Sequence, residues 1–142
     1  MVRGWIVAAL LALVFVMAGC SQKEEPDKAP VPDYTPFLAE QSGELKVIVL
    51  AKEKVREETR AVNDMVAAMA GRFMPVIYDV QTEEGKQAAE QLGAGAGAGA
   101  ESYPMYYLFD HQQLLTQGHD LPQIAQAAMD YTDRLSIGGT GD

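Results

Sequence analysis

The stretch Ser102-Tyr103-Pro104-Met105-Tyr106-Tyr107-Leu108-Phe109 decides how this chain folds. Five apolar or aromatic residues follow a proline, a run too short for a helix and rich in side chains that suit a pleated surface. The spacing predicts a strand over 105–109. Asp110-His111-Gln112 turns the chain, and Gln113-Leu114-Leu115-Thr116-Gln117 returns antiparallel. Downstream, Asp120-Leu121-Pro122-Gln123 has the form of a capping box. A last helix follows, with Ile124, Ala128, Tyr131 and Leu135 on one face.

Upstream, Leu45-Lys46-Val47-Ile48-Val49-Leu50-Ala51 is apolar apart from Lys46 and does not alternate. Such a run fits a central strand buried on both faces. Val55, Thr59, Val62, Val66, Met69 and Phe73 recur at helical spacing, predicting a helix over 54–72 with one core face. Met74–Val80 reads as a second strand with Pro75 near its start. Residues 83–92 form a second, weaker helix. The class is α/β in the order β-α-β-α-β-β-α, with a central mixed sheet of about four strands and helices on both faces.

That order and those motifs resemble the thioredoxin fold, a three-layer sandwich, over about residues 45–135. Val76-Ile77-Tyr78-Asp79-Val80, then Glu83-Glu84 and Ala88-Ala89, is similar to the family's second strand and the helix after it. Leu92-Gly93 is similar to that helix's exit. Ser102-Tyr103-Pro104 before Met105–Phe109 resembles the segment that carries the family's cis-proline. The cis form is accessible before proline alone; the alternative is a trans proline that opens the strand.

The departure from the family lies between the first strand and the first helix. Where the family has Cys-X-X-Cys, this chain has Ala51-Lys52-Glu53-Lys54-Val55-Arg56-Glu57-Glu58-Thr59, and Val49 stands near the position of a buried acid. Thiol–disulfide exchange needs a thiolate, so the family's redox activity does not carry over. The resemblance still implies a groove beside Pro104 whose backbone pairs with an extended segment, a mode that needs no thiol. Tyr103, Pro104 and Met105 are the candidate partner-binding residues, with Lys54 and Arg56 beside them. The charged run 52–58 reads either as the mouth of that groove or as a solvated helix start.

The chain's one cysteine, Cys20, lies elsewhere. Arg3 precedes the apolar run Trp5–Met17, a basic start and apolar core typical of an export signal. Met17-Ala18-Gly19-Cys20 resembles the lipobox of bacterial lipoproteins, with Met in place of the usual Leu. The resemblance implies removal of residues 1–19 and attachment of lipid to Cys20. Ser21, where Asp would favour retention in the inner membrane, points to the periplasmic face of the outer membrane. Residues 20–36 carry four prolines and many charges, predicting a tether. At about 3.1 Å per residue it spans on the order of 40–50 Å. The expected domain is 37–135, with a flexible tail at 136–142.

The net charge of −9 becomes −10 without Arg3 and argues against nucleic acid, which demands clustered cations. Gly93–Ala100 alternates Gly and Ala but lacks the lysine of a phosphate loop and is followed by a strand rather than a helix. His111 and His119 lack the spacing of a metal site. No cofactor and no metal are expected. Together these readings predict a membrane-anchored, redox-inactive thioredoxin-like lipoprotein that binds a protein or peptide in the cell envelope and is not an enzyme. Two alternatives stay open: a degenerate member of the oxidoreductase family that works with partner thiols, and a structural envelope-assembly lipoprotein.

Overall fold

A computed structural model describes residues 32–69, 73–94 and 103–138. The export signal, Cys20, most of the tether, the Gly-Ala repeat beyond Ala94 and residues 139–142 lie outside the described residues. Among the described residues, no helix is long and apolar enough to cross a membrane.

Four strands form one mixed sheet: β1 (Leu45–Ala51), β2 (Phe73–Asp79), β3 (Met105–Phe109) and β4 (Leu114–Gly118). Their spatial order is β2-β1-β3-β4. β1 runs parallel to β2, from Leu45 opposite Phe73 to Ala51 opposite Asp79. It runs antiparallel to β3, with Lys46 opposite Phe109 and Leu50 opposite Met105. A strand with a neighbour on each edge and helices over each face has no solvent side, which is why β1 shows no polar alternation.

Three helices cover the sheet: α1 (Val55–Ala68), α2 (Glu83–Gln91) and α3 (Leu121–Gly138). One face packs Ile48, Leu50, Tyr107 and Phe109 against Ala88, Ala89 and Leu92. The other packs Val47, Val49, Tyr106 and Leu108 against Val62 of α1 and Ile124 and Ala128 of α3. The expected α/β arrangement, a mixed sheet of four strands with helices on both faces, is what the chain adopts.

Several boundaries differ from expectation for local reasons. α1 ends at Ala68 and Met69 is extended, so Phe73 enters the same core as the first residue of β2 rather than from the helix. Thr59 lies on the predicted stripe but donates its hydroxyl to the Val55 carbonyl at 2.7 Å. The returning strand starts at Leu114 rather than Gln113. Buried Asp110 accepts from the backbone N–H groups of Gln112 and Gln113, both at 2.7 Å, which holds Gln113 in the turn. α3 begins after Asp120, but neither side-chain arm of the capping box forms there. Instead, the Ile124 N–H donates to the Asp120 carbonyl at 3.3 Å.

α3 also continues to Gly138, so Ser136, Ile137 and Gly138 are helical where a tail was expected. Its apolar face leaves the sheet as it goes: Ile124 and Ala128 are buried, Tyr131 half-buried and Leu135 47 % exposed. At the other end, a single 3-10 turn, Thr35–Phe37, precedes the sheet. Just before it, the Asp33 carboxylate accepts from the Thr35 N–H at 3.0 Å. The ring of Tyr34 meets Phe109 edge-on at 5.5 Å, and Phe37 stacks on Phe109 at 6.2 Å. Tyr34, at the end of the segment read as tether, therefore packs on the core, while Thr35 and Pro36 are exposed.

Candidate functional site

β1 ends at Ala51, and the next three residues lead into α1. This connection is braced from the β2–α2 side. Val80 N–H donates to the Ala51 carbonyl at 2.9 Å, and the Gln81 amide donates to the Lys52 carbonyl at 2.6 Å. Because Leu50 lies opposite Met105, the residues before β3 arrive beside those after β1. Tyr103–Pro104 thus faces the start of α1 across a cleft of about 320 Å³, lined by Ala51, Lys52, Glu53, Lys54, Glu58, Tyr103 and Pro104.

The Tyr103–Pro104 peptide bond is cis. The Pro104 carbonyl lies 2.9 Å from Nδ1 of His119, which donates to it and ties the β4–α3 connection to the cleft wall. Among the described residues, the N–H and carbonyl of Tyr103 make no hydrogen bond. Backbone groups left open beside a cleft can be satisfied by a strand laid along them.

The candidate residues do not all gather here. Tyr103, Pro104 and Lys54 line the cleft. Met105 follows directly but turns inward: its sulfur accepts from the Tyr107 hydroxyl at 3.2 Å, and it packs on the α2-side core. Arg56 is exposed on α1 and is not part of the lining. Lys54 precedes the first residue of α1 without a side-chain cap, and its ammonium lies 3.9 Å from Glu57 on an exposed surface.

Sequence reading grouped Glu58 with a charged mouth but gave it no partner. In the fold the Tyr106 hydroxyl donates to the Glu58 carboxylate. Tyr106 is 3 % exposed and sits opposite Val49 of β1, so a buried ring presents its hydroxyl to a carboxylate that lines the cleft. Burial first, then the Glu58 bond and charge, and the charge of Asp120, push the Tyr106 phenol well above its ordinary value. The phenol therefore stays a donor at neutral pH. On the opposite sheet face, burial pushes Tyr107 up to about 12, with Tyr34 and Tyr103 adding to the effect.

The cleft holds no thiol, since Cys20 is the chain's one cysteine. Val49 is fully buried against apolar neighbours. Among the described residues, no group of three or more His, Cys, Asp or Glu side chains is arranged to hold a metal. The arrangement offers open backbone, two lysines and two carboxylates, of which Glu58 is held by Tyr106.

No protein-family model matches this chain, and no curated protein matches it. Solved structures do. One is the crystal structure of a designed protein, similar with a TM-score of 0.50 at 13 % identity over 63 % of this chain and 82 % of that one. At that identity the likeness bears on the fold alone.

Proposed function

We propose that the chain is a thioredoxin-like lipoprotein without redox activity, anchored through Cys20 and facing the periplasm from the outer membrane, that binds an extended segment of a protein partner. The observation that carries the reading is the cleft between the start of α1 and the cis Tyr103–Pro104 bond, where the Tyr103 backbone is open and no thiol is present. The strand order β2-β1-β3-β4, with a parallel first pair and an antiparallel hairpin, supports the thioredoxin-like assignment. Support for the anchor comes from the sequence, through Ala18-Gly19-Cys20-Ser21 after the apolar run.

The test is a photoreactive amino acid placed at Tyr103 in the intact envelope. A discrete crosslinked partner, lost when Pro104→Ala is combined with it, is the expected result. Equal yields of the same adducts with the probe moved to exposed Arg56 would sink the proposal. Lipid attachment is checked separately by incorporation of a labelled fatty acid that Cys20→Ser abolishes.

A further inference from the structure

Among the charged side chains that line the cleft, Glu58 is the one hydrogen-bonded to a core residue. One oxygen accepts from Tyr106, and among the described residues the other has no partner. No lysine or arginine pairs with it: the two ion pairs among the described residues join Lys54 to Glu57 and Lys86 to Glu83. Its neighbour in the first turn thus has a cation, and the more enclosed carboxylate does not. A favourable position near the start of a helix explains why an acid is tolerated there. It does not explain a buried tyrosine that fixes that acid at the cleft.

Lys52 and Lys54 share the lining, so the cleft is not uniformly acidic. The two signs are held differently. A lysine head is a strongly hydrated point charge on a flexible stem, free to move out of an incoming chain's way. Glu58 is fixed from below by a hydroxyl on a ring that is itself in the core. Its orientation is set before anything binds, which lowers the ordering cost of a new contact. Asp120 is also near enough for its charge to act on the Tyr106 hydroxyl.

We infer that Glu58, positioned by Tyr106, selects a basic side chain on the segment that occupies the cleft, so that the partner is an extended peptide carrying Lys or Arg where it passes the start of α1. This rests on the cleft-binding reading above and deepens it. Free Oε1 accepts from the ammonium or guanidinium while Oε2 keeps its bond to the phenol. Tyr106 acts as a positioning residue: it does not touch the partner's cation.

The experiment uses the full-length chain in detergent and short synthetic peptides of about ten alternating Ser and Val residues, a length suited to strand addition. One central position is Lys, Arg, Ala or Glu. Fluorescence anisotropy gives the affinities. The Lys and Arg peptides are expected to bind about tenfold more tightly than the Ala peptide, as a charge-assisted contact allows. Glu58→Gln should erase that preference, so that the Lys, Arg and Ala peptides bind alike. Tyr106→Phe, which keeps the buried ring, should reduce the preference several-fold and make it more sensitive to salt.

If all four peptides bind alike, with binding lost on Pro104→Ala, the cleft reading stands and the inference about Glu58 fails. A preference for Lys that survives Glu58→Gln also overturns the inference. If no peptide binds, whatever its charge, the cleft reading fails and takes the inference with it.

Discussion

Replacing Gly85 with alanine tests how tightly α2 is fixed to the strand that braces the cleft. Gly85 lies in the first turn of α2, and its N–H donates to the capping hydroxyl of Thr82 at 3.1 Å. A Cβ added there would sit 1.9 Å from the Asp79 carbonyl oxygen, 2.4 Å from its carbon and 2.9 Å from Val80 Cα. All three are backbone atoms, so no side chain can swing aside. Ordinary contact begins near 3.4 Å, so the helix must retreat by roughly 1.5 Å. That retreat loosens Ala88, Ala89 and Leu92 from the core. Overpacking of this kind costs about 1–3 kcal/mol, and loss of the Thr82 cap about 1 kcal/mol more. Against this, alanine is favoured over glycine in a helix by about 1 kcal/mol. The expected net loss is about 2 kcal/mol, or a fall in Tm of about 8–16 °C for a domain of this size. Urea denaturation and a thermal scan measure it. Gly118→Ala is the control, because nothing lies within 4 Å of its added Cβ. A Gly85→Ala protein as stable as wild type would refute the claim that α2 rests on bare backbone at that point.

Alkaline titration should show a loss of stability that begins near the ordinary phenol pKa. Tyr107 is 1 % exposed and rises from 10.0 to about 12 on folding, so the folded state keeps a proton that the unfolded chain releases. Its contribution is complete below about pH 10 and declines toward pH 12, by on the order of 2–3 kcal/mol; Tyr106 acts in the same direction. Circular dichroism should fall together with the rise of tyrosinate absorbance, and tyrosines that all titrate near pH 10 in an intact fold would contradict this. Asp110→Ala removes the acceptor for two backbone N–H groups and for the Tyr131 hydroxyl. A loss of about 2–3 kcal/mol is expected in a denaturant titration, and one below 0.5 kcal/mol would mean that the turn holds itself. In an insulin-reduction assay with dithiothreitol, the protein should give no rate above buffer; acceleration would favour the partner-thiol alternative.

The sequence carried the sheet well because each strand advertised its environment. Leu45–Ala51 lacks alternation since β1 has neighbours on both edges and helices on both faces. The cis Tyr103–Pro104 bond lay where the family resemblance put it. Boundaries were harder wherever a side chain bonded to backbone. Asp110 moved the start of β4 by one residue, and Thr59 spent its hydroxyl within its own helix. Helical periodicity also carried Leu135 into the predicted core face, although α3 outruns the sheet and leaves it exposed. Periodicity reports which face a residue is on, not whether anything lies opposite. Composition gave no sign of one contact at the end of the proline- and charge-rich segment, where Tyr34 packs edge-on against Phe109.

The cleft shows a different limit. Tyr103, Pro104 and Lys54 were legible because each belongs to a local motif: a strand entry and a helix entry. The contacts that give the cleft its character are not local. Tyr106 and Glu58 are 48 residues apart, and His119 and Pro104 are 15 apart. In sequence Tyr106 reads as core and Glu58 as a solvated helix start, and each reading is half right: the ring is core, and the carboxylate does open to the cleft. Only the parallel crossover that sets α1 over the same sheet face as Tyr106 makes the two halves one device. A thiol-based site is announced by its cysteines. This cleft is built from residues with ordinary structural duties, and its arrangement becomes visible only once the topology has placed a core hydroxyl against a surface acid.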